Sequence, residues 1–313
     1  MGCLEMKQVC EVLKSECRHV WCKFGSFFRQ SDRKKIQRFR CRICGSTISE
    51  ATSDPCYYQK KRLLNASVFG LLVSGVSQRR CAKLLVVNRK TIIRKFLFLG
   101  HFASIRLQQQ NEERLQKVTI MEFDDLETIE HSKGKPLSIT LAVEHKTRHI
   151  LGFEVSQMPA KGKIAKMSRA KYGPRKDLRG VGRKNLFVKI KPFLASKVLI
   201  KSDENPHYPA DVKRHFPTGT HKTFKGRRGC VVGQGELKRG GFDPLFSLNH
   251  TCAKLRADIN RLFRRTWCTT KKASRLSLHI ALMAIYHNYE IRKKSKTFTE
   301  VIHYFLPTVA LIQ

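Results

Sequence analysis

Acidic side chains are scarce in this sequence. Asp and Glu total 24 against 62 Lys and Arg in 313 residues, a formal net charge of +38. An excess of that size repels itself in a compact chain and makes physical sense with a polyanion as partner. Long apolar runs are missing too. No stretch of about 18 consecutive apolar residues occurs, which argues against a membrane-spanning helix and against the membrane as partner. Residues 1–30 lack the continuous apolar core of a secretory signal, so a cytoplasmic location is expected. Eleven cysteines without such a signal are poor material for a disulfide framework. Their spacing is the informative property.

Cys41-Arg42-Ile43-Cys44-Gly45 is a CxxCG knuckle. Upstream, Cys17 and Cys22 form a wider pair. Four thiolates close a tetrahedral Zn2+ shell, with loop amides supporting the sulfurs. The expected ligands are Cys17, Cys22, Cys41 and Cys44, with His19 or Cys10 as substitutes for one of them. The site lies among many Lys and Arg residues, which suits contact with phosphates. A zinc ribbon is therefore expected over residues 1–56.

Residues 57–117 read as a helix-turn-helix bundle with a linker. Leu63, Leu64, Val68, Leu71 and Leu72 recur at helical spacing. Gly75 ends that helix, and Ser77 caps a short one over 77–85. Val86–Asn88 turns the chain into a third helix over 89–97. Arg89, Lys90, Thr91 and Arg94 fall at its N-terminal end, where base edges and phosphates of double-stranded DNA would be met. Residues 101–117 read as a polar helical linker.

From residue 118 the pattern changes to strands, predicted at 118–124, 137–144 and 149–155, with a tight turn between the last two. The basic stretch 161–184 reads as a surface loop. A helix over 185–195, strands at 197–203 and 218–223, and an amphipathic helix over 248–268 follow. Asp124 and Asp203 each close an apolar strand. This is the ribonuclease-H-like order, in which the first and fourth strands are neighbours. The two carboxylates would then share divalent ions, Mg2+ or Mn2+, that assist in-line displacement at phosphorus. The expected fold class is multidomain α+β: zinc ribbon, helix-turn-helix bundle, a ribonuclease-H-like α/β catalytic domain over 118–295, and a tail over 296–313.

Taken together, Arg38-Phe39-Arg40-Cys41-Arg42-Ile43-Cys44-Gly45, Phe123-Asp124-Asp125-Leu126-Glu127-Thr128, Ser202-Asp203 with Tyr208, and Leu255-Arg256 through Cys268 followed by Lys271 resemble the DDE-type transposases of small bacterial insertion sequences, in particular the group typified by the first-numbered insertion sequence. The resemblance spans about residues 17–290. It implies metal-dependent cleavage and strand transfer of DNA at terminal inverted repeats, self-association into a homo-oligomer, and a nucleoid-associated place in the bacterial cytoplasm. It also implies a third acidic residue seven positions before a basic one. Counting back from Arg256 reaches Asn249, an amide. Glu236 and Asp243 are alternative third ligands. Two other readings remain open at this stage. One is an inactive, sequence-specific DNA-binding regulator derived from a transposase; the other is a metal-dependent nuclease that cuts without joining.

Overall fold

The computed structural model describes residues 17–31, 33–52, 54–225, 243–263, 269–293 and 300–301. The chain divides into two compact units. The first comprises residues 1–67 with 298–313, and the second residues 68–297. The molecule is mixed α+β with two separate sheets.

In the first unit, β1 (Trp21–Arg29), β2 (Lys34–Cys41) and β3 (Thr47–Ser49) form an antiparallel sheet in that order. A register shift between Lys23 and Ser26 falls at Gly25, whose φ of 66° suits a residue without Cβ. Among the described residues the buried apolar set is small: Ile36, Cys41, Ile48, Ala51, Cys56, Ala66 and Val301. A core of that size needs a staple such as a metal. A buried ion pair, Arg62 to Asp54 at 2.6 Å, lies in the same unit.

Helix α1 (Leu64–Val73) leads into the second unit. Gly75, at φ 75°, stops it. Ser77 Oγ accepts from the Arg80 amide at the start of α2 (Gln78–Leu84). Asn88 Oδ1 accepts from the Lys90 amide at the start of α3 (Arg89–Glu112). Each cap fixes where its helix starts, and the Asn88 cap closes the turn between α2 and α3.

A five-stranded sheet follows, built from β4 (Val118–Glu130), β5 (Ser132–Glu144), β6 (Ile150–Gln157), β7 (Leu194–Asp203) and β8 (Thr220–Phe224). Its order is β6-β5-β4-β7-β8. The first three strands in chain order pair antiparallel; β7 pairs parallel to β4, and β8 parallel to β7. Helices α4 (Ala165–Tyr172) and α5 (Arg179–Ile190) link β6 to β7, and α6 (Tyr208–His215) links β7 to β8. Helices α7 (Phe246–Asp258) and α8 (Ala273–Lys293) complete the described unit. Alternation along β4 separates its two faces. Phe123 meets Phe187 of α5 at 5.1 Å and Tyr208 of α6 at 4.7 Å between ring centroids. Glu122 faces α7, accepting from the Leu248 amide.

Several boundaries differ from expectation. Strand β4 does not end at Asp124; it continues six residues as a hairpin arm with β5, turning at His131. The basic stretch 161–184 is not one loop, since it holds α4 and the start of α5. The helix expected over 248–268 ends at Asp258, where Ile259 turns extended before a short 3-10 turn at Asn260–Leu262. The third helix of the bundle runs 24 residues rather than nine.

Candidate active site

The parallel register pairs Met121 with Ile200 and Glu122 with Lys201. The paired stretch ends there, two residues before Asp124 on β4 and Asp203 on β7, and the Asp203 charge is felt at Asp124. Asp124 Oδ1 accepts from the Asp125 amide at 2.6 Å and from the Tyr208 hydroxyl at 3.0 Å. Burial, then the Asp203 charge, lifts the Asp124 carboxyl to about 6 despite those two donors. Asp203 Oδ1 accepts from the Asn205 amide at 3.1 Å, and burial followed by the charges of Asp125 and Glu204 raises its pKa as well. Two converging carboxylates that both hold their protons too tightly form a site that a divalent cation would relieve.

Tyr208 is fully buried, and burial with three surrounding carboxylates drives its pKa far above the usual phenol value. It therefore stays protonated and donates to Asp124. Asp125 is taken up elsewhere: its Oδ2 lies 3.2 Å from Arg183, which also holds Asp211 at 2.6 Å and stacks on the Tyr208 ring.

Asn249, Cys252 and Arg256 fall on one stripe of α7 at helical spacing. The Cys252 thiol is pushed up to about 12 by burial first and then by the Asp124 charge, with Arg256 opposing. That stripe thus lies within the electrostatic reach of Asp124. Asn249 is exposed, and its Nδ2 donates to Asp243 Oδ2 at 2.7 Å. Asp243 also accepts from the Leu245 amide at the start of α7. Glu236 lies outside the described residues.

Sequence reasoning missed Glu122. It is completely buried, accepts from the Leu248 amide at 2.8 Å and pairs with His145 Nδ1. Nε2 of the same imidazole faces Lys201 Nζ at 3.3 Å. The signal was a lone charged residue inside an apolar strand, two positions before Asp124 and so on the same face.

The cysteine centre has a different membership from the expected one. The ligand atoms of Cys17, His19, Cys41 and Cys44 all lie within 4.8 Å of one another. Cys22 is not among them. It sits within β1 opposite Arg40, and its thiol donates to the Arg40 carbonyl at 3.3 Å. His19, just before the strand, reaches Cys44 Sγ at 3.3 Å through Nδ1. Gly45, at φ 73°, completes the knuckle, and the Ile43 amide points at Cys41 Sγ. Burial works against the Cys41 thiolate, yet the Cys44 amide and His19 hold it down at about 6. Cys17 is pushed up to about 11 by burial and by its sulfur neighbours. Three sulfurs and one imidazole crowded together match the donor set of a Cys3His zinc site.

On α3, Arg89, Lys90 and Arg94 are exposed and Thr91 is half-buried. No helix among the described residues is long and apolar enough to cross a membrane.

No protein-family model matches this chain, and no curated protein matches it. Among solved structures, it is similar to the crystal structure of the Mos1 strand transfer complex, with 10% identity over 74% of this chain and 78% of that one and a TM-score of 0.24. It is also similar to the Mos1 transposase paired-end complex with left transposon end, with 11% identity over 75% and 79% and a TM-score of 0.22. Likeness at this level fixes neither fold nor activity.

Proposed function

We propose that the chain is a DNA transposase of the insertion-sequence type, which cuts and joins DNA strands by metal-assisted phosphoryl transfer. The observation that carries this reading is the parallel pairing of β4 and β7, which ends two residues before Asp124 and Asp203, together with the Asp203 charge acting on Asp124. The sheet order β6-β5-β4-β7-β8 supports a ribonuclease-H-like core. Asp124, Asp203 and the Oδ1 end of Asn249 would hold Mg2+ or Mn2+. Bound there, the cation would supply Lewis-acid activation of the attacking oxygen and stabilise charge on the leaving oxygen.

The chain's own groups do the rest. Tyr208 orients Asp124 by donating to Oδ1. Arg256, two turns beyond Asn249 on α7, offers a cation to a DNA phosphate. Arg89, Lys90, Thr91 and Arg94 present donors to the element ends, and the zinc ribbon adds phosphate contacts. Joining two ends calls for more than one copy of the chain, hence a homo-oligomer. Such an element belongs to the bacterial cytoplasm, at the nucleoid.

A second reading has one specific observation behind it. Asn249 brings no charge, and its amide is engaged by Asp243. An inactive DNA-binding regulator would look like this. A donor-cleavage assay with duplex carrying the element ends, in Mg2+ or Mn2+, separates the readings. The transposase reading expects cleavage and strand joining by the wild type. It expects loss of both in Asp124→Ala and Asp203→Ala, with duplex binding retained. A wild type that binds but never cuts in either metal leaves the regulator; cutting without joining leaves a nuclease.

A further inference from the structure

A cavity of 430 Å3 opens in the second unit, between the helical bundle on one side and Asn260, Arg261 and residues from Thr269 into α8 on the other. Six cationic side chains line it: Arg79 and Arg89 from the bundle, and Arg261, Lys271, Lys272 and Arg275 from the other wall. No Asp or Glu is among the described lining residues. Like charges gathered around one space oppose the compact state unless a counter-charge enters. Arg261 shows the cost. It is half-buried over the Phe96 ring at 5.4 Å, and burial with the Arg275 charge lowers its pKa to about 10.

His279 supplies a second, independent observation. It lines the same cavity and is almost wholly buried. Its Nε2 donates to the Leu72 carbonyl at 3.1 Å, while Nδ1 has no hydrogen-bond partner among the described residues. A buried polar atom without a partner is uncommon and asks for an explanation. Burial and the Arg261 charge hold this imidazole near 4. An anion in the cavity reverses that field, lets Nδ1 take a proton, and gives it an acceptor.

We propose that this cavity is a phosphate-binding site, seating one phosphoryl group between Arg261, Lys272 and Arg275 on one wall and Arg79 and Arg89 on the other, with His279 Nδ1 at its floor. Guanidinium forks match phosphate oxygens in pairs, and the lysines add point charges at the mouth. The phosphate has two possible sources of the same chemistry, a DNA backbone phosphate or a free phosphoryl ligand. The backbone source rests on the DNA reading above; the site itself does not. Arg89 favours the backbone, because it opens the same helix that exposes Lys90 and Arg94. A backbone phosphate in the cavity would tie the duplex to α3 and to α8 at once.

The test uses the full chain with its zinc. Thermal unfolding in sodium phosphate is compared with sodium chloride at matched ionic strength. The wild type is expected to show a saturable rise in Tm specific to phosphate, lost in Lys272→Ala/Arg275→Ala. Lys271→Ala/Lys272→Ala changes only exposed side chains and guards against a fold that fails; it is expected to weaken the response. In parallel, duplex affinity is followed by fluorescence anisotropy from 50 to 200 mM salt, a range in which phosphate contacts dominate. For a backbone phosphate, the log–log salt slope of the Lys272→Ala/Arg275→Ala variant becomes shallower by about 0.9, the loss of one contact. A phosphate shift with an unchanged slope identifies a free phosphoryl ligand. A wild type that responds to phosphate but binds no duplex sinks the transposase reading and leaves the site standing. If phosphate stabilises the wild type no more than chloride does, and the variant's slope is unchanged, the site does not exist.

Discussion

Replacing Asp124 by Asn removes a charge that the fold holds at a loss. The carboxyl stands at about 6 against an ordinary 3.8. That is a rise of about two units, and each unit is worth about 1.4 kcal/mol, so the ionised form costs the folded state about 3 kcal/mol. The sign follows from linkage. The folded chain binds this proton more tightly than the unfolded chain does. Below about pH 4 both states are protonated and the penalty is absent. As pH rises through about 6 the folded carboxyl ionises, and the stability is lost. Asn never ionises. Asp124→Asn is therefore expected to exceed the wild type by only about 0.6 kcal/mol at pH 4, where ionisation of the unfolded carboxyl has begun, and by about 3 kcal/mol at pH 7.5, while losing cleavage. Urea unfolding followed by far-UV circular dichroism, without added Mg2+, gives the two numbers. Comparing variant with wild type at each pH cancels other titrating groups. Adding Mg2+ at pH 7.5 should then stabilise the wild type and leave the variant unmoved. A difference between the proteins that is the same at both pH values would refute the reasoning, because Asp124 would then not sit in a desolvated, carboxylate-facing place.

Three further outcomes are expected. His19→Ala should lower the zinc content measured by plasma mass spectrometry while Cys22→Ser keeps it; the opposite pattern would restore the four-cysteine shell. Gly100→Ala should lower the urea midpoint by about 1–3 kcal/mol of stability, because its Cβ would stand 2.6 Å from Leu278 Cβ. The gain in helix propensity is about 1 kcal/mol, so an unchanged or raised midpoint means that the two helices do not cross this closely. Arg183→Met leaves Asp125 and Asp211 facing each other without their cation, a loss of about 3–5 kcal/mol. Asp125→Asn in the same chain should recover part of that loss in a thermal melt, and no recovery would separate the pair.

The legible parts of the chain were those where one local force dominates. The apolar runs before Asp124 and Asp203 became strands because burial on both faces leaves little else for them. The caps Ser77 and Asn88 act next to the helices they start, so their positions show in the sequence. The misread parts depend on distant partners. The third helix, expected over 89–97, runs on to Glu112 through Gly100, where Leu278 of α8 approaches and leaves no room for a side chain. Gly182, in a stretch read as loop, sits inside α5 for the same reason, with Ser156 Oγ 2.0 Å from where its Cβ would be. Ile259, Leu262 and Phe263 keep helical spacing although the helix has ended, because apolar periodicity also fits a tighter turn. His19 took the place expected for Cys22 because strand pairing, not cysteine spacing, decides which side chain turns toward the knuckle.

Glu122 has a consequence for how the acidic centre would fill. Its carboxylate pins the first turn of α7 to β4 through the Leu248 amide, and the pin involves neither Asp124 nor Asp203. The helix that carries Asn249 is thus docked before any cation arrives. Loading the centre then requires neutralisation rather than assembly, and ion affinity should track the number of charges offered there, with little folding entropy to overcome.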